Sequence, residues 1–294
     1  MSDETGGPES AVHDCLKPGL LSGRSAWITG GGTGLGRAMA CRFAELGCAI
    51  GLSGRREEPL RETARAIEEA GGRAVVAPCD VRDPVAVEVA HGKIVGELGG
   101  LAILVNNAAG NFLCPSEELS PNAFAAVVGI VLNGTFHCTR AAGRHWIDNG
   151  TGGVVLNIAA TYWSSGSAFV LPSACAKAGV VAMTRSLAVE WARHGIRLNA
   201  IAPGPIPTEG AFSRLLPSPE LLDSRRARIP AGRFGTPEEL AELAAYLVSD
   251  AASWMRGEVV TIDGGEWLAG AGEFNDLLEL SEADWKAMRG KTAR

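Results

Sequence analysis

Short apolar runs alternate with longer segments of helical periodicity along this chain of 294 residues. The runs that predict strands lie at 25–28, 49–53, 74–77, 101–105, 154–158, 197–201 and 259–262. Runs that are apolar on both faces are typical of parallel strands that helices cover on each side. Strands and helices in alternation therefore predict an α/β fold with a doubly wound parallel sheet, and the pattern shows no boundary of a second domain.

Two of the predicted helices have unusual patterns. The segment 120–149 is interrupted by Asn133 and Gly134, and this pair predicts a local distortion in which a trapped water or a lysine contacts the amide. A simple hydrogen bond between helices is the alternative. The segment from Ser173 to about 193 is apolar on nearly every face and contains small residues such as Ala174 and Ala178. Such a helix is buried, so we expect a homo-oligomer that packs through it.

A glycine-rich turn follows the first predicted strand at once. It has the sequence TGGGTGLG at 29–36 and opens a helix that extends to Gly47. Glycines let a backbone approach a pyrophosphate, and the N-terminus of the helix supplies unpaired N–H groups. An ordinary tight turn is the alternative, but strand, turn and helix in this order favour a dinucleotide-binding site.

Arg55 and Arg56 follow the second predicted strand, where enzymes that use NAD have an Asp or Glu for the ribose hydroxyls. A carboxylate there would repel the additional phosphate of NADP, whereas Arg55 can bind that phosphate through two hydrogen bonds. The alternative is a solvated pair of cations beside Glu57 and Glu58. We therefore predict NADP(H) as cofactor, with Arg37 as a weaker second candidate for the phosphate.

Polar residues also follow the later strands, at the edge where the carboxyl ends of parallel strands meet. Asp80 can accept a hydrogen bond from an adenine amino group, and Thr208, after a turn with three prolines, can bond to a nicotinamide carboxamide. Asn106 and Asn107 are interpreted as ties between strand ends. Asn111 lies farther out, where its amide can donate to a substrate oxygen; a turn-forming asparagine is the alternative.

The stretch 154–177 is the strongest candidate for the chemistry. It passes from a predicted strand through Tyr162, which we place at the strand end, to Ser173 and Lys177, one helical turn apart on the same face. A nearby ammonium lowers the pKa of a phenol and prepares it to donate to a developing oxyanion. We therefore expect Lys177 to lower the pKa of Tyr162.

Composition narrows the classes of function. The net charge is −6 and no basic stripe stands out, which argues against nucleic acid as a partner. We expect no run long enough to cross a membrane and recognise no targeting pattern, so a cytoplasmic protein is predicted. The seven cysteines and five histidines show no ligand spacing, and we predict no metal.

One terminus and one surface segment are assigned separately. Residues 1–22 are predicted to be a mobile tail before a catalytic domain of 23–294, and 207–230 a lid over the site. The lid contains Arg214, Arg225, Arg226 and Arg228. These can meet the phosphates of a large anionic substrate, although a solvated cationic helix face is the favoured interpretation for any one of them.

The motifs together resemble the short-chain dehydrogenase/reductase family, in order and over nearly the whole chain. They are TGGGTGLG, NNAAG, the helix with Lys177, PGP at 203–205 and DGG at 263–265. The resemblance implies a Rossmann-like fold. The implied cofactor contacts are Gly30, Thr33, Gly34, Leu35, Gly36, Arg55, Asp80, Val81, Asn107, Lys177, Pro203 and Thr208. Members usually have a tyrosine four residues before the lysine, where this chain has Ser173.

One branch of the family matches this departure. NNAAGNF, NAFAAVVGIVLNGTF, PSACAKAGV and GEFND are similar to the NADPH-dependent 2,4-dienoyl-CoA reductases, in which the tyrosine is displaced to the strand end. The resemblance implies that Tyr162 and Asn111 share the thioester oxygen, that Lys177 holds the nicotinamide ribose and that Ser173 supports the site. It also implies an acyl-CoA substrate and a tetramer.

Three hypotheses for the function follow. The favoured one is reduction of a 2,4-dienoyl-CoA to a 3-enoyl-CoA, an auxiliary step in the oxidation of unsaturated fatty acids. The second is a carbonyl or β-ketoacyl reductase in which Tyr162 donates the proton from an unusual position. The third is a cofactor-binding scaffold or redox sensor without catalysis.

Overall fold

The structure, a computed structural model, describes residues 16–208 and 218–292. These residues form one parallel sheet of seven strands in the order β3-β2-β1-β4-β5-β6-β7. The strands are β1 (Ser25–Thr29), β2 (Ala49–Ser53), β3 (Ala74–Val76), β4 (Ile103–Asn106), β5 (Gly153–Ile158), β6 (Ile196–Pro203) and β7 (Val259–Ile262). The prediction of a doubly wound parallel sheet is confirmed, and each predicted strand is present with bounds close to those expected.

Helices cover both faces of the sheet. They are α1 (Gly34–Glu45), α2 (Glu57–Glu69), α3 (Pro84–Leu98), α4 (Pro121–Val128), α5 (Gly134–Asn149), α6 (Leu171–Glu190), α7 (Pro219–Ala227), α8 (Pro237–Val248), α9 (Glu266–Ala271) and α10 (Glu282–Thr292). Side chains of a strand alternate between the two faces of its sheet. In β1, Ile28 accordingly packs into one core with α1 and α8, and Trp27 into a second core with α3 and α5.

The direction in which strands are added reverses next to β1. This strand pairs with β2 on one side and with β4 on the other, although β3 lies between β2 and β4 in sequence. Ligands of open α/β sheets bind at such a switch point, beyond the carboxyl ends of the strands. The fold therefore brings the glycine-rich turn after β1 to the same edge as the loops that follow β4 and β5.

The segment predicted as one helix over 120–149 contains a π-helical turn, Gly129–Asn133, between α4 and α5. The predicted distortion is therefore confirmed. Gly134 is required where α5 passes Val81, because a β-carbon there would lie 2.5 Å from the valine side chain. Asn133 is exposed rather than buried in the helix, and its contact with a water or a lysine stays a prediction.

By length and composition, Pro121–Asn149 could cross a membrane, with a mean hydropathy of 1.2. The expectation that no segment reaches this length is therefore wrong. A helix in the core of a globular protein passes the same test, and here Val127 packs against Ala176 of α6 while Trp146 is fully buried. Length and composition alone are weak evidence for a membrane, and its absence stays a prediction.

The domain begins before residue 23. Leu21 is fully buried, and its N–H donates to the carbonyl of Leu46 at 2.9 Å. Ser22 packs so closely on Gly47 that a β-carbon at the glycine would overlap it. Placing the whole of 1–22 in a mobile tail is therefore wrong for Leu21 and Ser22, because an apolar side chain here fills the core. Residues 1–15 lie outside the described residues.

Candidate active site

A crevice of about 640 Å³ opens at the switch point. Among its lining residues are Gly30, Thr33, Gly34, Leu35, Arg55, Asp80, Val81, Asn107 and Thr208, all of them predicted cofactor contacts. Three further predicted contacts, Gly36, Lys177 and Pro203, do not line it. Pro203 ends β6 and pairs with Ile262 of β7, so its place is in the sheet.

The glycine-rich turn fits a dinucleotide. Gly34 begins α1 with a φ of +53°, and a β-carbon there would lie 3.2 Å from the side chain of Thr208. At Gly36 a β-carbon would overlap the carbonyl oxygen of Gly30. The N-cap residue, Thr33, makes no side-chain cap, so the first N–H groups of α1 remain for a phosphate.

Asn107 holds this turn against the end of β4. Its amide Nδ2 donates to the carbonyls of Thr29 (3.0 Å) and Gly30 (3.3 Å). The Thr29 hydroxyl accepts the backbone N–H groups of Asn107 and Ala108, each at 3.0 Å. The interpretation of Asn107 as a tie between strand ends is confirmed, and Thr29 is a second tie for which no signal in the sequence was found.

Arg55 and Arg56 lie exposed at the mouth of the crevice. The nearest acids in sequence are engaged elsewhere, since Glu57 pairs with Arg61 and Glu58 with Arg65. The alternative of a solvated pair of cations predicts the same exposure, so the role of Arg55 at a phosphate stays a prediction. Within the residues described, neither Arg55 nor Arg56 has an ion pair. A doubly cationic mouth is suited to an anionic group such as a phosphate.

Asp80 is already occupied by a neighbouring cation. Arg82 Nη2 donates to its carboxylate at 2.6 Å, and the Arg82 backbone N–H adds a bond of 3.0 Å. The hydrogen bond from Arg82 lowers the pKa of this carboxyl, and the charges of Arg82 and Arg55 add to the effect. The sequence analysis did not identify Arg82 as a partner of Asp80. The signal that indicates such a pair is a cation two residues after an acid in a loop.

Tyr162 and Ser173 meet beyond the end of β5. Tyr162 lies in a 3₁₀ turn, Thr161–Trp163, so its assignment to the strand end is wrong by a few residues. Its hydroxyl lies 3.0 Å from Ser173 Oγ, in the first turn of α6. Burial raises the pKa of Tyr162, and the bond to Ser173 opposes that only in part. A phenol in this state is a neutral hydrogen-bond donor at neutral pH.

Lys177 is buried and donates to the carbonyl of Ile158, at the end of β5. Burial lowers the pKa of this amine from its usual value to about 8. The expectation that Lys177 lowers the pKa of Tyr162 is wrong, since Ser173 alone has that effect. Lys177 does not line the crevice, and its hydrogen bond to Ile158 holds the amine at the carboxyl end of β5.

Asn111 lies on the loop after β4 with its donor group free. Its Oδ1 accepts the backbone N–H of Phe112 at 2.9 Å, and its NH₂ group has no hydrogen-bond partner in the part of the chain that the structure describes. The loop is tied to the one after β5, because the N–H of Cys114 donates to the carbonyl of Phe169 at 2.9 Å. The two loops with Asn111 and Tyr162 are therefore neighbours.

The predicted lid is described only in part. Residues 209–217, with Arg214, lie outside the described residues. Arg225 pairs at 2.8 Å with Glu266, a carboxyl whose pKa burial raises, and Arg226 bonds to Asp223 at 3.2 Å. These partners favour a structural role for both arginines. No group of three or more His, Cys, Asp or Glu that could hold a metal ion is found in 16–208 and 218–292.

Comparisons with known proteins identify a matching family and several similar proteins. A family model described as enoyl-(acyl carrier protein) reductase matches residues 30–266. A Bacillus subtilis protein named probable 2,4-dienoyl-CoA reductase, (2E)-enoyl-CoA-producing, is 50% identical over 243 residues, covering 82% of this chain and 95% of its own. A Caenorhabditis elegans protein named probable 2,4-dienoyl-CoA reductase 3, (3E)-enoyl-CoA-producing, is 42% identical over 289 residues, covering 95% and 94%.

Further relatives differ in compartment and substrate. A Rattus norvegicus protein named peroxisomal 2,4-dienoyl-CoA reductase is 40% identical over 280 residues, covering 94% of this chain and 95% of its own. A solved short chain dehydrogenase from Bacillus anthracis is 44% identical, with a TM-score of 0.76, over 83% of this chain and 96% of that one. A gluconate 5-dehydrogenase from Burkholderia cenocepacia, solved with NADP and tartrate, is 34% identical, with a TM-score of 0.79, over 84% and 96%. The chain therefore belongs to the short-chain dehydrogenase/reductase family and is an oxidoreductase.

Proposed function

We propose that this protein reduces 2,4-dienoyl-CoA thioesters to 3-enoyl-CoA with NADPH. The observation that supports the proposal most is the 3.0 Å contact between the Tyr162 hydroxyl and Ser173 Oγ. Serine stands on α6 where the family's alcohol–ketone enzymes are expected to have their tyrosine, and the phenol reaches the same place from the turn after β5. The names of the Bacillus subtilis and Caenorhabditis elegans relatives support the same substrate class.

The chemistry requires a pair of hydrogen-bond donors. When bound, NADPH supplies a hydride to the δ-carbon of the conjugated thioester. The Tyr162 O–H and the Asn111 NH₂ group donate to the thioester oxygen, where negative charge develops as an oxyanion. The raised pKa of Tyr162 keeps the phenol protonated for this role, and Ser173 fixes its direction. No alkoxide needs a proton, so the usual tyrosine position on α6 is dispensable.

The position of protonation separates two products. A proton at the α-carbon gives a 3-enoyl thioester, and a proton at the γ-carbon gives a 2-enoyl thioester. The names of the relatives include both outcomes, (2E) for the Bacillus subtilis protein and (3E) for the Caenorhabditis elegans protein. We propose the 3-enoyl product, and proton NMR of the purified product assigns the double bond.

A carbonyl or β-ketoacyl reductase is the second candidate. It is supported by the solved relative that is a gluconate 5-dehydrogenase. NADPH oxidation measured against a panel of 2,4-dienoyl-CoAs, β-ketoacyl-CoAs and simple ketones separates the candidates. Turnover of dienoyl-CoA supports the proposed function, turnover of ketones alone supports the second candidate, and cofactor binding without turnover supports a scaffold or redox sensor.

Lys177 is proposed to hold the nicotinamide ribose, and its low pKa makes this role dependent on pH. The pKa of about 8 means that the ammonium loses its proton over the range from pH 7 to 9. We expect the Kd for NADPH to increase over this range, because only the charged amine attracts an anionic cofactor and has two N–H donors besides the one that bonds to Ile158. Fluorescence titration measures the Kd, and Lys177→Met should lack the increase.

The same shift has a consequence for stability. The folded protein releases this proton near pH 8 and the unfolded chain near 10.5, so the unfolded chain binds more protons in between. The free energy of unfolding should therefore rise between these two pH values, and Lys177→Met should lose that rise. If neither the Kd for NADPH nor the free energy of unfolding depends on pH in the unaltered protein, the proposed role of Lys177 is contradicted.

We propose a homo-oligomer that packs through the exposed face of α6. Cys175, Ala178, Ala182 and Val189 lie on that face, whereas Ala174 and Val181 are buried within the chain. Ala182→Glu should shift the protein toward smaller species in sedimentation velocity, because a buried unpaired charge is costly. The control Ala70→Glu, on an exposed site at the end of α2, should leave the distribution unchanged. A monomer at micromolar concentration in the unaltered protein would contradict the proposal.

The partners and the location of the protein in the cell are proposed from its net charge and from the names of its relatives. The net charge of −6 disfavours nucleic acid as a partner, and the acyl-CoA substrate follows from the names of the relatives. A cytoplasmic location stays a prediction, because a relative at 40% identity is named peroxisomal. Fluorescence microscopy of the tagged protein in its own cells distinguishes these locations.

A further inference from the structure

Three large, exposed apolar side chains lie on the two segments of chain that carry the proposed donors. Leu113, Phe169 and Leu171, which we call the apolar rim, have exposed fractions of 50%, 57% and 41%. The Cys114–Phe169 hydrogen bond holds the loop of Leu113 next to the loop of Phe169. Contiguous exposed apolar surface on a folded protein marks a place where another apolar group binds.

The backbone conformation of Phe169 indicates that this exposed surface has a function. It has a φ of +64°, and in 16–208 and 218–292 it is the one residue other than glycine with a positive φ. This conformation costs free energy for a side chain with a β-carbon, and a bulky ring is a genuine outlier there. Burial does not offset the cost, because more than half of the residue is exposed to solvent. Such strain persists at clamps for ligands.

The three rim residues are close in sequence to the two donors, Asn111 and Tyr162. Asn111 precedes Leu113 by two residues, and Phe169 lies between Tyr162 and Ser173 on the loop after β5. A thioester oxygen held by Asn111 and Tyr162 therefore lies near the two segments that carry the rim. The part of the substrate that extends away from the oxygen and is apolar is the acyl chain.

We propose that Leu113, Phe169 and Leu171 bind the acyl tail beyond the conjugated dienoyl unit, and that the protein therefore selects long-chain over short-chain thioesters. This inference rests on the proposed function. The occupant is a fatty-acyl chain and not a second copy of the protein, because Leu113 and Phe169 lie on the two loops that carry the donors and outside α6.

The size of the preference follows from burial. A fully buried methylene favours binding about fourfold, and a rim that covers only one side of the chain gives roughly half of that free energy, or about twofold for each methylene. Extension from 2,4-hexadienoyl-CoA to 2,4-decadienoyl-CoA adds four methylenes. We therefore expect kcat/KM to rise roughly tenfold or more over this series.

Variants at Phe169 separate the side chain from the backbone. Phe169→Asn and Phe169→Gly both accept a positive φ, so the loop should keep its conformation while the apolar surface is lost. Both should fold with an unchanged or raised Tm and should show nearly equal kcat/KM for the C6 and C10 substrates. Phe169→Leu should retain most of the preference. Trp254→Ala is the matched control, a side chain that is 97% exposed on the loop before β7, at the opposite edge of the sheet.

A binding measurement keeps the inference separate from the proposed function. The Kd values of hexanoyl-CoA and decanoyl-CoA are measured by calorimetry, with no turnover required. A tighter Kd for decanoyl-CoA that disappears in Phe169→Asn supports the rim even if dienoyl-CoA is not reduced. Equal Kd values in the unaltered protein, or a preference that survives in both Phe169→Asn and Phe169→Gly, would overturn it.

Discussion

Tyr162→Phe should lower kcat for 2,4-dienoyl-CoA by on the order of a hundredfold or more, because one donor to the developing oxyanion is lost. The affinity for NADPH should change little, since the phenol lies beyond the crevice lining. Asn111→Ala should have a similar effect for the same reason. Stopped-flow measurement of NADPH absorbance gives the rate of the chemical step directly.

Two controls accompany this prediction. The chain has two tyrosines, and Tyr246→Phe on α8 removes the other hydroxyl without an expected effect on rate. Ser173→Ala should cost less than Tyr162→Phe, because the serine orients the phenol and does not contact the charge. Full turnover of dienoyl-CoA in Tyr162→Phe would contradict the proposed role of the phenol and favour the carbonyl reductase alternative.

Arg55→Asp should remove most of a preference for NADPH over NADH that we expect to be at least tenfold. A charge-assisted contact to the additional phosphate contributes about 1.5–3 kcal/mol, and no acid in the described residues neutralises Arg55 as an ion pair. A carboxylate at the same place also repels that phosphate. Fluorescence titration of both cofactors at fixed ionic strength gives the ratio of the Kd values.

Arg65→Asp is the control for the change in overall charge. Arg65 lies exposed on α2 and pairs with Glu58, outside the crevice, so its substitution should affect both cofactors alike. Equal affinities for NADPH and NADH in the unaltered protein would show that Arg55 is a surface cation without a role in the choice of cofactor.

The sheet and the cofactor crevice could be predicted because their signals are local. Apolar runs, a glycine-rich turn and polar residues at strand ends occur at fixed places along the chain, and the parallel sheet then brings them to one edge. The distortion near Asn133 was predictable for the same reason, since an amide and a glycine together interrupt a helical pattern. Asn111 and Tyr162 were candidates because each follows a predicted strand, and the resemblance added that both donate to one thioester oxygen.

Other features depend on contacts between distant parts of the chain. The apolar residues of α6 occur all round the helix, so periodicity did not show that Val181 faces the core while Ala182 faces outward. The pKa of Tyr162 depends on its burial beneath loops that meet only in the folded protein. The positive φ of Phe169 has no signal in sequence, because phenylalanine is not a residue that favours this conformation.

The 3.0 Å approach of the Tyr162 hydroxyl to Ser173 Oγ bears on how related activities interconvert during evolution. A tyrosine at position 173 would direct a second ring toward the place that the Tyr162 hydroxyl fills, and overpacking of a filled site costs free energy. A phenol can reach this place from position 162, after β5, or from position 173, on α6, but two rings would overlap there. A lineage that moves between the two arrangements must therefore change both positions together, or pass through an ancestor in which neither position supplies a phenol.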